Sequence, residues 1–380
     1  MGILVIISNH IILKRMVQCC QMAQGILIHI RVGMVTHNPI LEHRSLICHI
    51  IQGIAKMRMK VNRKQFRDDS NKNRLCSFLY NQGGLTVNKL SPIKDNVFYL
   101  KSDNDEYILK NNKFSSSIEQ QWNFFEKLTF NQSNKFTCFP NGSQIIEGFG
   151  VFWTLSPYIS GQSLQYRLHS DREDALITLR KFHKEATDIK IENPKIKTPI
   201  YVKWYNRLEK LHQTRHIMEQ FGFLYLYEDI LRTTKSRLKV LANLDWHSIE
   251  KKSVVNWTWT HGDVASHNFL RDNSNIVHLI DFDLLSMSPQ IYDHIQLGQR
   301  FLPYVNWSLD RLLSYSVYDE QLDFSLWLYG ITVPSDIIRE WWHFTSRNHS
   351  NNKFIWYLNR LSEDWKHRVQ FVEEVDIMLR

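Results

Sequence analysis

Between residues 97 and 128 the pattern of apolar and polar positions changes period. "VFYLKSDNDEYILK" carries two alternating runs around Ser102, Asp103, Asn104 and Asp105, and this predicts a β-hairpin. "SIEQQWNFFEKL" then places Ile118, Trp122, Phe125 and Leu128 at helical spacing. Further on, "FGVFWTLSPYISGQSL" (149–164) reads as a strand running into a turn at Ser160-Gly161. "ALITLRKFHKEATDI" reads as an amphipathic helix with Leu176, Leu179 and Phe182 on one face and His183 packed rather than catalytic. Helices of mixed charge follow over 201–250. A second hairpin is predicted where Phe269-Leu270-Arg271 and Ile276-Val277-His278-Leu279-Ile280 flank the turn formers Asp272-Asn273-Ser274-Asn275. The stretch 294–380 is helical and rich in aromatics. No internal repeat and no low-complexity linker interrupts this order.

At 380 residues, with 43% apolar content and 12 Trp, the chain can bury two cores or one large two-lobed one. The net charge of +9 invites a nucleic-acid partner, but its distribution argues against one. Residues 1–60 hold seven Lys or Arg against the single acid Glu42, whereas the remainder is close to neutral, with 40 basic and 37 acidic residues. The first 58 residues also contain none of the 48 aromatics, yet they hold Cys19, Cys20 and Cys48 of the five cysteines. Their apolar runs fall short of the roughly 18 residues a membrane span needs, "ILVIISNHIIL" being cut by Asn9 and His10. They show neither an early positive charge nor a small-residue cleavage site. The expectation is an upstream translation of the reading frame with the true start at Met57 or Met59, the alternative being a poorly ordered or membrane-surface extension. Without that extension only Cys76 and Cys138 remain, which fits a reducing cytoplasm. The expected layout is therefore an atypical 1–58, a small lobe over 59–157 and a large, mainly helical lobe over 158–380.

The second hairpin carries the chemistry. In "THGDVASHNFLRDNSNIVHLIDFD" the hairpin returns Asp281 and Asp283 to the neighbourhood of Asn268, with Asp263 one short loop earlier. These oxygen donors suit Mg2+, which takes only one or two protein carboxylates. Asp263, kept off the metal, is free to deprotonate a hydroxyl. His-x-Asp-x-x-x-x-Asn followed by Asp-Phe-x is the arrangement kinases use for phosphoryl transfer, with Asp-Phe-Asp here in place of Asp-Phe-Gly and His261-Gly262-Asp263 in place of His-Arg-Asp. A strand reaching Lys110 and a helix carrying Glu119 repeat the kinase small lobe, Lys110 meeting the α and β phosphates and Glu119 holding Lys110. Glu126 competes for the second role, and a solvated surface is the plain reading of all three. A metal-dependent hydrolase using His261 and Asp263 as ligands is a further reading, which leaves the Asp263-to-Asn268 interval unexplained.

"HGDVASHN" with "LIDFD" resembles the aminoglycoside phosphotransferase and choline kinase superfamily, and "IDFDLLSMSPQIYDHIQLGQRFLP" resembles most the kinase-like proteins associated with bacterial spore coats. The resemblance implies an α+β, bilobal, protein-kinase-like fold and an ATP- and Mg2+-dependent phosphotransferase acting on a hydroxyl of a small, amino-containing substrate. It implies Asp263 as base, Asn268, Asp281 and Asp283 around Mg2+, and Asp293 bracing the catalytic loop together with His261. Asn96 matches a polar position of the phosphate loop, and backbone groups between Ser156 and Tyr158 would meet the adenine edge. Two departures stand out: Ser288-Pro289 replaces a glycine or Asp-x-Pro, and Ser91-Pro92-Ile93-Lys94-Asp95-Asn96 holds no glycine, the nearest being Gly83-Gly84. A non-catalytic scaffold on the same fold is the alternative function. The same likeness implies a cytoplasmic or spore-associated setting, spore-coat proteins as partners and no membrane span.

For the acceptor, the C-terminal aromatics Phe301, Tyr304, Trp307, Tyr315, Tyr318, Trp327, Trp341, Trp342, Trp356 and Trp365 are read first as helix packing and second as a box for a quaternary ammonium. Asp310, Asp319, Glu320 and Asp323 are candidates to meet an amino-sugar cation.

Overall fold

The computed structural model describes residues 69–103, 105–315 and 323–380, all within the compact unit Arg67–Arg380. The expectations for residues 1–58 and the proposed start sites, and those for Tyr318, Asp319 and Glu320, lie outside the described residues. The chain adopts the mixed α+β layout that its patterning predicts.

Helix α1 (Asp69–Gly83) leads into a five-stranded antiparallel sheet of β1 (Lys89–Lys94), β2 (Val97–Lys101), β3 (Glu106–Asn112), β4 (Ile146–Gly148) and β5 (Val151–Pro157), ordered β1-β2-β3-β5-β4. Strands β1 and β2 close over the two residues Asp95 and Asn96, with Lys94 opposite Val97. Pro92 lies in β1, an edge strand, and the β1–β2 register shifts between Pro92 and Lys94, the positions where a strand tolerates proline. The predicted hairpin forms, with Val97 opposite Lys110 and Lys101 opposite Glu106. Strand β3 does not end at Lys110: Asn111 and Asn112 continue it by pairing with Trp153 and Phe152 of β5. Alternation puts Phe98, Leu100 and Leu109 inside, and α2 (Ser115–Lys127) buries Ile118, Trp122 and Phe125.

After β5 the chain enters β6 (Gly161–Ser163), then α3 (His169–Glu185), α4 (Ile200–Gln213), α5 (Arg215–Gln220), α6 (Leu224–Leu241) and α7 (Trp246–Val255). Strand β7 (Trp259–Thr260) opens the segment that carries the His261–Asp283 motif, followed by β8 (Phe269–Asp272), β9 (Val277–Leu279) and β10 (Ser286–Met287). Helices α8 (Ile291–Phe301), α9 (Leu309–Leu313), α10 (Phe324–Thr332), α11 (Ser335–Thr345) and α12 (Asn351–Met378) complete it.

The predicted hairpin β8–β9 is present, with Phe269 opposite Leu279. Its third strand is β6, which patterning reads as a turn; three residues, Gly-Gln-Ser, carry no apolar signal. Gly161 is required there, because a Cβ would come within 2.2 Å of the Arg271 carbonyl oxygen. Leu176, Leu179 and Phe182 of α3 are buried, as are Trp259, Tyr292, Trp327 and Trp341, so the helical lobe is held by aromatic packing.

Candidate active site

Gly262 fixes the backbone of the central loop. Its φ of +87° lies in the left-handed region, and a Cβ would sit 2.6 Å from the Leu284 carbonyl oxygen, so a side chain is excluded twice over. That explains why glycine follows His261. Asp293, fully buried in the first turn of α8, accepts the His261 N–H at 2.7 Å and the Gly262 N–H at 3.0 Å. His183 Nε2 faces the same carboxylate at 3.1 Å, so the histidine read as packed is a strut. Burial alone would raise the Asp293 carboxyl, but the hydrogen bond from His183 and the nearby cations outweigh it and hold the group well below the usual carboxylate range.

His261 joins the two halves of the motif. Its Nε2 donates to the Ile280 carbonyl at 3.0 Å, while Nδ1 accepts the Asp263 N–H at 3.3 Å, which defines a neutral imidazole. Burial holds its pKa down. With both nitrogens committed, His261 is not free to ligate a metal, which takes from the hydrolase reading one of its two ligands.

Asn268, buried at the end of the 3-10 turn Ser266–Asn268, donates from Nδ2 to the Asp263 carbonyl at 2.8 Å, and its own carbonyl accepts the Ile280 N–H at 2.9 Å. The loop and the exit of the hairpin are thus tied through one residue. Asp281 follows with φ +66°. Lys110 Nζ reaches Asp281 Oδ1 and Asp283 Oδ1, both at 2.7 Å. Burial would lower the Lys110 pKa and raise that of Asp281, but their mutual attraction prevails and moves them in the opposite directions. Two carboxylates converging on one cation, beside an asparagine whose amide nitrogen is already spent, form an all-oxygen donor set. Such a set fits a hard divalent ion.

The other expected residues are placed less uniformly. Glu119 and Glu126 are both exposed on α2, and the ion pairs of Lys110 go instead to Asp281 and Asp283. The structure does not bring Glu119 to Lys110, because the stripe Ile118, Trp122 and Phe125 turns the glutamates outward. Gln120 links α2 to the site: Nε2 donates to the Leu285 carbonyl at 2.9 Å, and Oε1 accepts the Lys195 N–H at 2.6 Å. Asn96 lies in the two-residue turn, its carbonyl bound by the Asn111 N–H at 3.0 Å. Ser156 is buried near the end of β5; Tyr158 packs edge-on against Tyr99 at 4.9 Å, and its N–H is spent on the Glu106 carbonyl. Pro157 has no N–H, so an adenine edge meeting this segment would find acceptors more readily than donors. Ser288, the departure noted above, hydrogen-bonds Thr260 at 2.6 Å and braces β7.

Arg300 and Lys197 are functional candidates that motif reading misses. Arg300 Nη2 donates to Asp263 Oδ1 at 2.8 Å. It lies two helical turns after Asp293 on α8, a spacing that does place both on one face. Lys197 has no such signal; its ammonium lies near Gly262 and hydrogen-bonds Thr260 Oγ1 at 3.4 Å. Both line a cavity of about 650 Å³ that opens at Asp263 on the helical side.

Acid sensitivity follows from the buried imidazoles. Burial lowers His261 and brings His294, which faces His183 at 3.3 Å, down to about 3. Below about pH 6.5 the unfolded chain takes up protons at these positions that the folded chain refuses. Stability is therefore full above about pH 6.5 and falls by up to ~1.4 kcal/mol per pH unit for each histidine as pH drops. Asp293 works in a lower window: its stabilisation is present above about pH 4 and disappears as pH falls through its depressed folded value. Urea melts at pH 7, 6 and 5 check this, and equal stability at all three would contradict it.

The sequence profile of the phosphotransferase enzyme family matches residues 90–313. No curated protein matches the chain in sequence. Among solved structures, the aminoglycoside phosphotransferase from Alicyclobacillus acidocaldarius superposes with a TM-score of 0.62 at 16% identity, covering 77% of this chain and 92% of that one. A spectinomycin phosphotransferase in complex with ADP and spectinomycin gives 0.56 at 13% identity, covering 80% and 98%. A GDP and kanamycin complex of an aminoglycoside phosphotransferase gives 0.52 at 14% identity, covering 77% and 98%. At these identities the likeness concerns the fold, and it is the fold of the kinase-like phosphotransferases.

Proposed function

This chain belongs to the phosphotransferase enzyme family, and from that premise we propose that it transfers the γ-phosphoryl group of ATP, with Mg2+, to a hydroxyl of a small molecule. The observation that carries the proposal is that Asn268 ties the Asp263 loop to Ile280, next to Asp281, whose carboxylate converges with that of Asp283 on Lys110. The Lys110 cluster suits a nucleotide triphosphate, and Asp263 lines the cavity.

The proposed step is an in-line transfer. The acceptor hydroxyl gives its proton to an Asp263 carboxylate oxygen while its own oxygen bonds to the γ-phosphorus; the bond from that phosphorus to the β-γ bridging oxygen breaks, and ADP leaves. Arg300 holds the Asp263 carboxylate in one orientation, and Gly262 and Asn268 fix its backbone. Asn268, Asp281 and Asp283 are the residues that would hold Mg2+, whose charge would offset that of the triphosphate. Lys110 is placed to bind phosphate oxygens. The phosphate loop is the two-residue turn Asp95–Asn96, so its grip depends on backbone groups with no glycine to bring them close.

The likeness of residues 280–303 to spore-coat-associated kinase-like proteins extends the proposal to a cytoplasmic or spore-associated setting with spore-coat proteins as partners. Among the described residues no helix is long and apolar enough to cross a membrane. The glycine-free turn is the observation that favours a scaffold that binds without transferring. ATP binding should require the divalent ion, because Asp281 and Asp283 otherwise face the triphosphate with like charge. Calorimetry should give an affinity at least about tenfold weaker in excess chelator, a loss of ~1.4 kcal/mol. Equal affinity with and without Mg2+ would count against these metal ligands.

A further inference from the structure

The cavity beside Asp263 is lined by six cations, Lys197, Lys203, Arg207, Arg300, Arg339 and Arg360, against four carboxylates, Asp263, Asp336, Glu340 and Asp364. Counting alone understates the imbalance, because three of the carboxylates are already engaged. Asp263 is held by Arg300, and Asp336 is turned to Arg368, which is not among the lining residues. Asp364 lies 3.9 Å from Arg360 at the exposed rim, and Glu340 is exposed. Among the described residues, Lys197, Lys203, Arg207 and Arg339 have no carboxylate at ion-pair distance. Lys203 and Arg207 stand one turn apart on α4, on the face that also carries Ile200 and Trp204 into the cavity.

These cations sit close enough to disturb one another. Burial, with Lys197 and Arg207 nearby, holds the Lys203 ammonium down to about 8, and burial with Arg339 nearby brings Arg207 down to about 10. Asp293 and Asp336 offset part of this from a distance, but without a carboxylate in contact the crowded, half-buried positive charges carry a cost that a bound anion relieves. Arg207 is steadied by the Ser335 carbonyl and hydroxyl at 3.2 and 2.6 Å, which leaves its guanidinium oriented but not neutralised.

Several of the groups a cation would use are already occupied or lie elsewhere, although Tyr304 and Glu340 remain in the lining. Trp307 already has the Arg368 guanidinium over its ring at 5.0 Å, and Trp356 has Arg360 at 5.9 Å. Phe301, Tyr315, Trp327, Trp341 and Trp365 are buried in helix packing. Asp310 is not among the lining residues, and neither is Asp323, which caps α10 through the Leu326 N–H.

We infer that the acceptor is a small hydroxyl compound bearing an oxyanion, its anionic group seated among Lys203, Arg207 and Arg339 and its hydroxyl turned to Asp263. The inference rests on the phosphotransferase reading and narrows its substrate class. A volume of about 650 Å³ accommodates a sugar-sized molecule. Guanidinium pairs suit phosphate and carboxylate alike, so the shared chemistry is the oxyanion.

The test uses one skeleton in four charge states: glucose 6-phosphate, gluconate, glucose and glucosamine, with inorganic phosphate as the minimal probe. Calorimetry on the full chain should show at least one of the two anionic compounds binding about tenfold or more tighter than glucose and glucosamine. The better of the two identifies the oxyanion. Lys203→Gln, alone and combined with Arg207→Gln, should abolish that preference while leaving the affinity for Mg2+-ATP in place. Equal or tighter binding of glucose or glucosamine, a preference that survives both variants, or no binding of any anion overturns the inference. The two readings fail separately. ADP release driven only by cationic acceptors would sink this inference and keep the phosphotransferase, whereas anion binding without phosphoryl transfer to any acceptor would sink the phosphotransferase reading and leave an oxyanion-binding site that is not an acceptor site.

Discussion

Asp263→Asn is expected to lower phosphoryl transfer by about two to four orders of magnitude, the usual reach of general base catalysis. The change keeps size and shape but removes both the negative charge and the capacity to accept a proton from the acceptor hydroxyl. It should spare the fold, because the loop is fixed by backbone contacts that the variant retains: the Asp263 N–H to His261, the Asp263 carbonyl to Asn268, and the two N–H groups held by Asp293. Arg300 loses its carboxylate partner but still reaches Gln296 Oε1 at 3.3 Å. Mg2+-ATP affinity should be little changed, since Lys110, Asp281 and Asp283 are untouched. Single-turnover rates with matched nucleotide titrations separate the two quantities. A variant that keeps more than about a tenth of the wild-type rate would remove Asp263 from the role of base.

The largest structural effect is expected at Asp293. Asp293→Ala leaves the His261 and Gly262 N–H groups without their carboxylate acceptor inside the protein, and removes the charge that faces His183. Breaking a buried charged network in this way costs about 3–5 kcal/mol, a fall in melting temperature of roughly 5–8 °C for a unit of this size. Asparagine should rescue little of it. One carboxylate oxygen accepts from Gly262 and the other from His261, so either orientation of an amide sets its NH2 against a backbone N–H. The protein that remains folded should also lose activity, because Gly262 and Asp263 hang from this carboxylate. Unchanged melting in both variants would show that the brace contributes nothing.

What could be read from the chain was local. Asp263, Asn268 and Asp281 lie within one loop and one hairpin, so turn chemistry and strand alternation suffice to bring them together. The antiparallel mates of Lys110 in β2 were legible for the same reason. Glu119 was not, because pattern gives the apolar stripe of α2 but not which polar neighbours the lobe interface draws in; it draws in Gln120 and turns both glutamates to solvent. Strand β6 escaped because its pairing with β8 depends on a residue 111 positions further on, Gly161 lying opposite Asp272. Aromatics are ambiguous in another way: a cage and a helix core use the same residues, and burial supports the packing read first for Phe301, Tyr315, Trp327, Trp341 and Trp365. The basic lining of the cavity was illegible, since Lys197, Lys203 and Arg207 precede the motif by some sixty residues and meet Arg300 and Arg339 only through the packing of α4, α8 and α11.

The most direct test of phosphoryl transfer is to follow the label from γ-labelled ATP with Mg2+ into acceptors, using neutral, anionic and cationic hydroxyl compounds and a small-molecule cell extract, with Asp263→Asn protein as the blank. A labelled acceptor formed by the wild type, and at least about a hundredfold more slowly by the variant, is the predicted result. Label transfer by the wild type no faster than by the variant, for every acceptor and for the extract, would contradict it and leave the fold as a binding scaffold.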